Sequence, residues 1–378
     1  MRPVYMIAAC RTPVAPRGGA LADLDVHELG AAVIATVLQH APAFKTAVDG
    51  VIMGSALCAG GNAARMAALA AGLSDHVPAL TIDTQCCSGL DAIALASARI
   101  AAGHARVMIA GGMESFSRAP MRAVRPREKG GGAPQFYARP PFAPWPDRDP
   151  DLTKAAAQLA RAQGFTRRQQ EAFAIASHAK ALIAGPDETA IVPLAGLARD
   201  AFTRHLTPQL CARMPGLAGD DIHGLTAATI ACEADAAAAV LLVGEELLPV
   251  LPAGVCALRI EAAEQAGGDP AMPALASAAA IARALERSGL TAGNLAAIEL
   301  MEAYAAQAMA NIASAGLPES RVNASGGALA RGHPIGASGA ILAVNLFYQL
   351  QSMQRSSAGL AVIAAAGGLA SALVMRNA

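Results

Sequence analysis

The sequence has few aromatic residues and no excess of charge of either sign. Aromatic side chains make up 3% of the 378 residues, and 29 basic residues balance 29 acidic ones. Without net positive charge, the chain lacks the electrostatic pattern that attracts nucleic acid or an anionic membrane surface, so we expect neither partner. Because 54% of the residues are hydrophobic but few are large rings, we expect a large core packed through small side chains.

The sequence also lacks paired cysteines and long apolar runs. The seven cysteines form no Cys-x-x-Cys pair, and their number is odd. This pattern argues against a disulfide framework and a zinc site, and it indicates free thiols in a reducing compartment. We therefore expect no metal ion and a cytoplasmic location. No run reaches the roughly 18 apolar residues of a membrane span, and the first apolar run is too short for a signal peptide.

Strands and helices alternate along most of the chain. Short apolar runs predict strands at residues 4–9, 50–55, 80–83, 107–110, 236–243, 295–300 and 359–365. Runs with helical spacing predict helices at residues 29–39, 62–71, 90–102, 152–163, 167–183, 274–288, 305–315 and 336–350. Thr166 is expected to cap the helix that begins at residue 167, and Gln169 or Gln170 to complete a capping box. This alternation is typical of βαβ units, so the predicted fold class is α/β with a mostly parallel sheet.

Two features interrupt or repeat this pattern. Residues 118–151 form a proline-rich irregular stretch, and residues 185–232 are loop-rich. A Ser-Gly pair that starts a buried helix occurs twice, at Ser88-Gly89 and about 250 residues later at Ser338-Gly339. A buried strand ending in Gly-Gly follows each pair. The repetition indicates two copies of one βα unit with an insertion in the first.

Cys86 is the first candidate for catalysis. It lies where a strand enters a helix, and a helix N-terminus is expected to lower the pKa of a thiol and make it nucleophilic. The alternative is that Cys86 is only a small buried residue. Cys87 cannot face the same site, because successive helical residues point about 100° apart.

His333 is the second candidate, in Gly332-His-Pro-Ile-Gly-Ala-Ser-Gly339. A histidine on such a shaped loop is suited to moving a proton near neutral pH, although a structural role stays open. The stretch lacks the lysine of a phosphate-binding loop. Glu302, at the start of a helix, is by default a solvated charge.

Several motifs in this order resemble the thiolase family. They are Cys-x-Ser-Gly-Leu (86–90), Gly-Gly-Met-Glu-Ser (111–115), Met-Glu-Ala-Tyr-Ala-Ala-Gln (301–307), Asn-x-x-Gly-Gly (323–327), Gly-His-Pro-x-Gly-x-Ser-Gly (332–339) and Gly-Gly (367–368). The start at residues 7–13 and the Asp200, Arg204 and Thr207 positions also resemble it. The resemblance covers essentially the whole chain.

The resemblance implies a thiolase fold, with duplicated βαβαβαββ halves in a five-layered α-β-α-β-α body and an inserted loop domain. The N-terminal half would span residues 1–117 and be completed by about 233–260. The inserted loop domain would span 118–232, and the C-terminal half 261–378. Family members are dimers or tetramers, so a homodimer or homotetramer is expected.

The resemblance also implies the chemistry. Cys86 would be the nucleophile that forms a covalent acyl intermediate from an acyl-CoA thioester, and His333 would activate it. The backbone N–H groups of Cys86 and Ala366 would form an oxyanion hole. Coenzyme A would enter as part of the substrate, with no covalently bound cofactor. Leu152, Met214 and Ala231 are the expected substrate-binding residues.

Two positions depart from the family pattern. Met301 replaces an asparagine that positions a water in the second oxyanion hole, and Ala364 replaces a second cysteine that moves an α-proton. Losing a general base costs about 10² to 10⁴ in rate, and losing an oxyanion donor about 10² to 10³. Ordinary thiolysis or Claisen condensation is therefore expected to be impaired.

Three interpretations follow. The first is an acyltransferase that forms acyl-Cys86 and then passes the acyl group on, or condenses it with a nucleophile that loses CO₂. The second is a weakly active acyl-CoA-binding protein or the non-catalytic partner of another thiolase-like subunit. The third is full thiolase activity with Cys87 or Glu302 replacing Ala364 as the base.

Overall fold

A computed structural model describes residues 2–127, 131–252 and 254–377. The strands are β1 (Val4–Arg11), β2 (Ala15–Pro16), β3 (Gly50–Gly54), β4 (Ala79–Ile82), β5 (Val107–Glu114), β6 (Arg122–Val124), β7 (Gln135–Tyr137), β8 (Ala234–Gly244), β9 (Leu258–Gly267), β10 (Leu295–Leu300), β11 (Ala358–Ala365) and β12 (Leu369–Asn377). The helices are α1 (Val26–His40), α2 (Ala63–Ala70), α3 (Ser88–Ala101), α4 (Leu152–Ala162), α5 (Arg167–Ala184), α6 (Pro208–Ala212), α7 (Ala276–Ser288), α8 (Ala305–Ser314), α9 (Ala328–Arg331) and α10 (Ile335–Gln351).

The strand order shows the same unit twice. The main path of the large sheet runs β10-β11-β12-β9-β1-β8-β5-β3-β4. From β1 outward, the pairs β1–β8 and β8–β5 are antiparallel, and the pairs β5–β3 and β3–β4 are parallel. From β9 outward, the pairs β9–β12 and β12–β11 are antiparallel and the pair β11–β10 is parallel. A parallel bridge between Ile298 of β10 and Val322 takes the place of the fourth pair. The repeated unit predicted from the two Ser-Gly pairs therefore has a counterpart in the topology.

The buried faces of the strands separate five layers. Along β8, one set of alternate residues packs with α3 and α10, and the other set packs with α1 and α2. Along β11, one set packs with α3 and α10, and the other packs with α7 and α8. Because side chains alternate across a strand, helices α3 and α10 form the middle layer of an α-β-α-β-α body. The five-layered fold class is confirmed.

Some expectations about the strands were incomplete or wrong. The sheet is mixed rather than mostly parallel, because β8 and β12 each run antiparallel to both of their main neighbours. Neither β9 nor β12 was predicted, and the proposed boundary at 260/261 falls inside β9. The capping of α5 by Thr166 and Gln169 is confirmed. Between β5 and β8 lie the hairpin β6–β7 and helices α4, α5 and α6.

The middle-layer helices α3 and α10 cross at a point where each of them has a glycine. A Cβ atom at Gly89 would lie 2.8 Å from the backbone nitrogen of Ala340, and one at Gly339 would lie 2.6 Å from the backbone nitrogen of Leu90. Contacts this short do not occur for real Cβ atoms, so each position needs a glycine. The crossing brings the N-terminal ends of α3 and α10 together.

We predict that Gly89→Ala destabilises the protein by about 1–3 kcal/mol, because the added methyl group meets backbone atoms that cannot rotate away. Urea-induced unfolding would measure the change. Gly216→Ala is the matched control, since no atom lies within 4 Å of its ideal Cβ. Equal stability of the two variants would show that the helices can separate at little cost.

Candidate active site

Cys86 lies in a tight turn that leads into α3. The turn spans Gln85–Cys87, and Gln85 has a left-handed backbone with φ of 56°. Ser88 closes the turn: its Oγ donates to the carbonyl of Gln85 at 2.6 Å and accepts from the backbone N–H of Thr84 at 2.9 Å. A non-glycine residue at positive φ is costly, so this bonding is what holds the cysteine in place.

His333 faces the sulfur of Cys86. Its Nε2 lies 3.2 Å from Sγ, and its Nδ1 lies 2.7 Å from Oγ of Ser338. The Ser338 hydroxyl donates its one proton to the carbonyl of Pro334 at 3.0 Å. It must therefore accept from Nδ1–H, which leaves the lone pair of Nε2 facing the thiol. This geometry places Nε2 where it can accept the thiol proton.

Burial sets the resting charges of this pair. It raises the pKa of Cys86 to about 12, although hydrogen bonds from the backbone of Ala366 and of Cys86 itself oppose the increase. It also lowers the pKa of His333 to about 4. The expectation that the helix N-terminus lowers the pKa of Cys86 was wrong, because loss of water around the sulfur outweighs it. At neutral pH the pair is a neutral thiol and a neutral imidazole.

The two other candidate proton carriers face elsewhere. Cys87 is fully buried in the central core, with its sulfur 3.7 Å from the carbonyl of Ile363. Glu302 is 2% exposed, and it accepts from Ser177 Oγ at 2.7 Å and from Asn323 Nδ2 at 2.6 Å. Glu302 is therefore committed to holding loops together, and it is not the solvated charge that was the default interpretation.

Sequence reasoning did not single out Glu114 as a support of the site, although it lies in one of the quoted motifs. Its buried carboxylate accepts from Ser55 Oγ and from the backbone N–H groups of Ala56, Leu57 and Gly336, at 2.8–3.1 Å. Burial raises its pKa, and these donors oppose the shift. Because Gly336 lies three residues after the histidine, Glu114 anchors the histidine loop to the N-terminal half.

Asp91, which sequence reasoning passed over, joins the two halves directly. Its carboxylate accepts from Thr84 Oγ1 at 2.6 Å and from Ser371 Oγ at 2.5 Å. Thr84 precedes Cys86 by two residues, and Ser371 lies on β12 just after the turn that contains Ala366. One buried side chain thus links the nucleophile turn to the glycine-rich turn opposite. A single acidic residue inside a helix carries no sequence signal for such a link.

Cys86 and His333 open into a cavity of about 150 Å³. The remaining lining is Leu152, Ala155, Ala156, Leu159, Ile230, Ala231, Met272, Pro273, Ala274, Ala303, Tyr304, Gln307, Ile335, Ala364, Ala365 and Ala366. Of the residues predicted to bind substrate, Leu152 and Ala231 lie in this wall. Both Ala366 and Ala364 line the same cavity as Cys86 and His333. The wall is mainly apolar, which suits an acyl chain.

Two predicted positions do not reach this cavity. Met214 packs against a small apolar cluster that includes Ala174 of α5, Cys211 of α6 and Ala305 of α8. Met301 is 1% exposed within the central core, and its backbone N–H donates to the carbonyl of Val362 at 2.9 Å. A thioether has no hydrogen to donate, so Met301 supplies no donor for a water near the site.

Among the described residues, no group of three or more His, Cys, Asp or Glu side chains is placed to hold a metal ion. None of the described helices is long and apolar enough to cross a membrane. All seven cysteines are free thiols.

Comparisons with known proteins point to one family. Residues 4–246 match the thiolase N-terminal domain and residues 255–377 the thiolase C-terminal domain. An acetyl-CoA acetyltransferase of Pseudomonas aeruginosa is 36% identical over 400 residues, covering 99% of each chain. A probable acetyl-CoA acetyltransferase of Escherichia coli is 35% identical, covering 100% of each. The Acat5 thiolase of Ascaris suum, crystallised with coenzyme A, has a TM-score of 0.89 and 29% identity, with both chains covered completely.

Together, the five-layered body and the paired cysteine and histidine define an enzyme of the acyltransferase class. The matches extend over both halves of the chain. The chain belongs to the thiolase family.

We predict that alkylation of Cys86 by iodoacetamide is slow at pH 7 and rises about tenfold per pH unit up to about pH 10. The thiolate is the reactive form, and burial raises the pKa of Cys86 to about 12. Peptide mapping by mass spectrometry measures the rate, with the urea-denatured chain as control. A rate that is already constant from pH 6 to pH 8 would instead show a preformed thiolate–imidazolium pair.

Proposed function

We propose that this protein is an acyltransferase that takes the acyl group of an acyl-CoA thioester onto Cys86. The observation that carries the proposal is the 3.2 Å contact between Cys86 Sγ and His333 Nε2 at the cavity. The tautomer fixed by Ser338 supports it, since Nε2 is then ready to accept a proton. The relatives named as acetyl-CoA acetyltransferases support the same class of reaction.

In the first half-reaction, Nε2 takes the thiol proton as Sγ attacks the thioester carbonyl. The carbonyl oxygen becomes an oxyanion, and we assign its donors to the backbone N–H groups of Cys86 and Ala366. Their hydrogen bonding toward the sulfur supports this position. When the intermediate collapses, the bond to the coenzyme A sulfur breaks and that sulfur leaves as the thiol, with the proton returned by His333. The products are acyl-Cys86 and free coenzyme A.

The charge of the inserted region supports a polyanionic acyl carrier. Residues 118–232 contain fifteen lysine and arginine residues and ten aspartate and glutamate residues, whereas the whole chain is neutral. A local positive field raises the concentration of an anion such as coenzyme A. The region also supplies Leu152 and Ala231 to the cavity wall.

The second half-reaction, in contrast to thiolysis and Claisen condensation, would need no group that moves a proton at the α-carbon. Both of those reactions move a proton at the α-carbon, and Ala364 beside the pair carries no group that can do so. The candidate replacements Cys87 and Glu302 are absent from the described cavity lining. Transfer to an acceptor, or condensation with a nucleophile that loses CO₂, needs no such base. We therefore propose one of these as the net reaction.

A second candidate function is acyl-CoA binding without turnover, alone or as a partner subunit. The apolar side chains of Met301 and Ala364 favour it. For assembly, we propose a homodimer or homotetramer, supported by an apolar patch at the β4 edge formed by Met66, Leu69 and Leu80, each more than 40% exposed. The free thiols support a reducing, cytoplasmic setting.

Incubation with acetyl-CoA and with longer acyl-CoAs is predicted to leave an acyl group on Cys86, detected by intact-protein mass spectrometry and peptide mapping. Cys86→Ala should abolish the adduct, and His333→Ala should slow it by about 10² to 10⁴ because the base is lost. Cys87→Ala, a core packing change, is the matched control and should keep it. An adduct on Cys87, or none with any acyl-CoA, would contradict the proposal.

Ala364→Cys is predicted to raise the rate of 3-ketoacyl-CoA thiolysis by at least about 10², because it restores a group that can move the α-proton. Release of acetyl-CoA, followed by chromatography, measures the reaction. The double variant Cys86→Ala, Ala364→Cys should be inactive. Wild-type thiolysis as fast as that of the Ala364→Cys variant would show that another base already serves the site.

A further inference from the structure

Tyr304 lines the cavity that holds Cys86, and it is the one hydroxyl-bearing residue among the described lining residues. Apart from the catalytic pair, the other polar side chain in the described lining is Gln307. Its Oε1 accepts from the backbone of Ala303 at 3.1 Å, and its Nε2 donates to the carbonyl of Met301 at 3.0 Å. Gln307 is thus committed to the protein, and Tyr304 is left to meet a ligand.

The Tyr304 hydroxyl has unused hydrogen-bonding capacity. It lies 3.3 Å from Oγ1 of Thr153, on the first turn of α4, and either oxygen can be the donor. Two hydroxyl groups carry two protons, and one hydrogen bond uses only one of them. Burial raises the pKa of Tyr304, so its proton stays in place at neutral pH. An alkyl chain in the cavity would cover this donor without giving it an acceptor.

The charge of the cavity limits which oxygen fits there. Among the described lining residues, none is Lys, Arg, Asp or Glu. A carboxylate on the acyl chain would be buried without a cation, which is costly. A hydroxyl group is neutral, and it can both accept from and donate to the Tyr304–Thr153 pair. These two properties favour a hydroxyl-bearing chain over a dicarboxylic one.

We propose that Tyr304 determines specificity by hydrogen-bonding a hydroxyl group on the acyl chain, so that hydroxyacyl thioesters acylate Cys86 faster than the matching alkyl thioesters. The inference rests on the proposed acyl-Cys86 intermediate and deepens it by naming the substrate class. Tyr304 contacts the chain of the substrate and takes no part in the proton transfer between Cys86 and His333.

The test compares butanoyl-CoA, 3-hydroxybutanoyl-CoA and 4-hydroxybutanoyl-CoA as acyl donors. The rate of Cys86 acylation is followed by mass spectrometry at several donor concentrations, which separates KM from the maximal rate. The wild-type enzyme should favour at least one hydroxyacyl-CoA over butanoyl-CoA by about tenfold, the effect of one neutral hydrogen bond. Tyr304→Phe should abolish that preference by lowering the hydroxyacyl rates to the level of the butanoyl rate. Tyr137→Phe, on the exposed hairpin β6–β7, is the matched control.

Three results would overturn the inference. If wild-type enzyme acylates Cys86 from all three donors without preference, the hydroxyl does not select the chain, although the acyl-enzyme proposal stands. If Tyr304→Phe slows all three donors equally, the hydroxyl contacts the pantetheine arm that they share. If no donor acylates Cys86, the inference fails together with the proposed function.

Discussion

The close crossing of α3 and α10 is the contact on which the rest of the structure depends. These helices are equivalent elements of the two repeated halves, and each has a glycine where the other comes closest. Because the N-terminal ends meet, the residues just before them meet as well. Cys86 precedes α3 and His333 precedes α10, and their side chains lie 3.2 Å apart. Each repeated unit thus supplies one of the two residues.

Under the proposed function, the site retains what acyl transfer needs and lacks a side chain that would move an α-proton. The departures from the family pattern at Met301 and Ala364 do not change Cys86, His333 or the backbone N–H donors. Met301 and Ala364 remove only side-chain functions. Glu114 and Asp91 stabilise the surrounding loops through buried hydrogen bonds to Gly336 and Ser371. We therefore propose that this thiolase keeps the acyl-enzyme step while its second step changes.

Much of the molecule could be predicted from the sequence, and the limits have physical causes. Strong apolar runs predicted β10 at its observed bounds, and the Thr166 capping box predicted where α5 begins. Strand β9 was missed because only Leu258, Ala262 and Ala266 are buried along its ten residues, and alanine and charged residues mask its alternation. The pKa of Cys86 was predicted in the wrong direction, since burial depends on the whole fold and not on the local helix. The role of Asp91 depends on Ser371, which lies 280 residues away.

The most direct test of this account is to expose the enzyme to acetyl-CoA in heavy water and to weigh the Cys86 peptide. The central claim is that the acyl-enzyme forms while no group in the site moves an α-proton. We predict an acetyl group on Cys86 whose methyl hydrogens are all protium. Deuterium in that methyl group would show that a base works at the α-carbon after all, and an unmodified Cys86 would show that even the first half-reaction is lost.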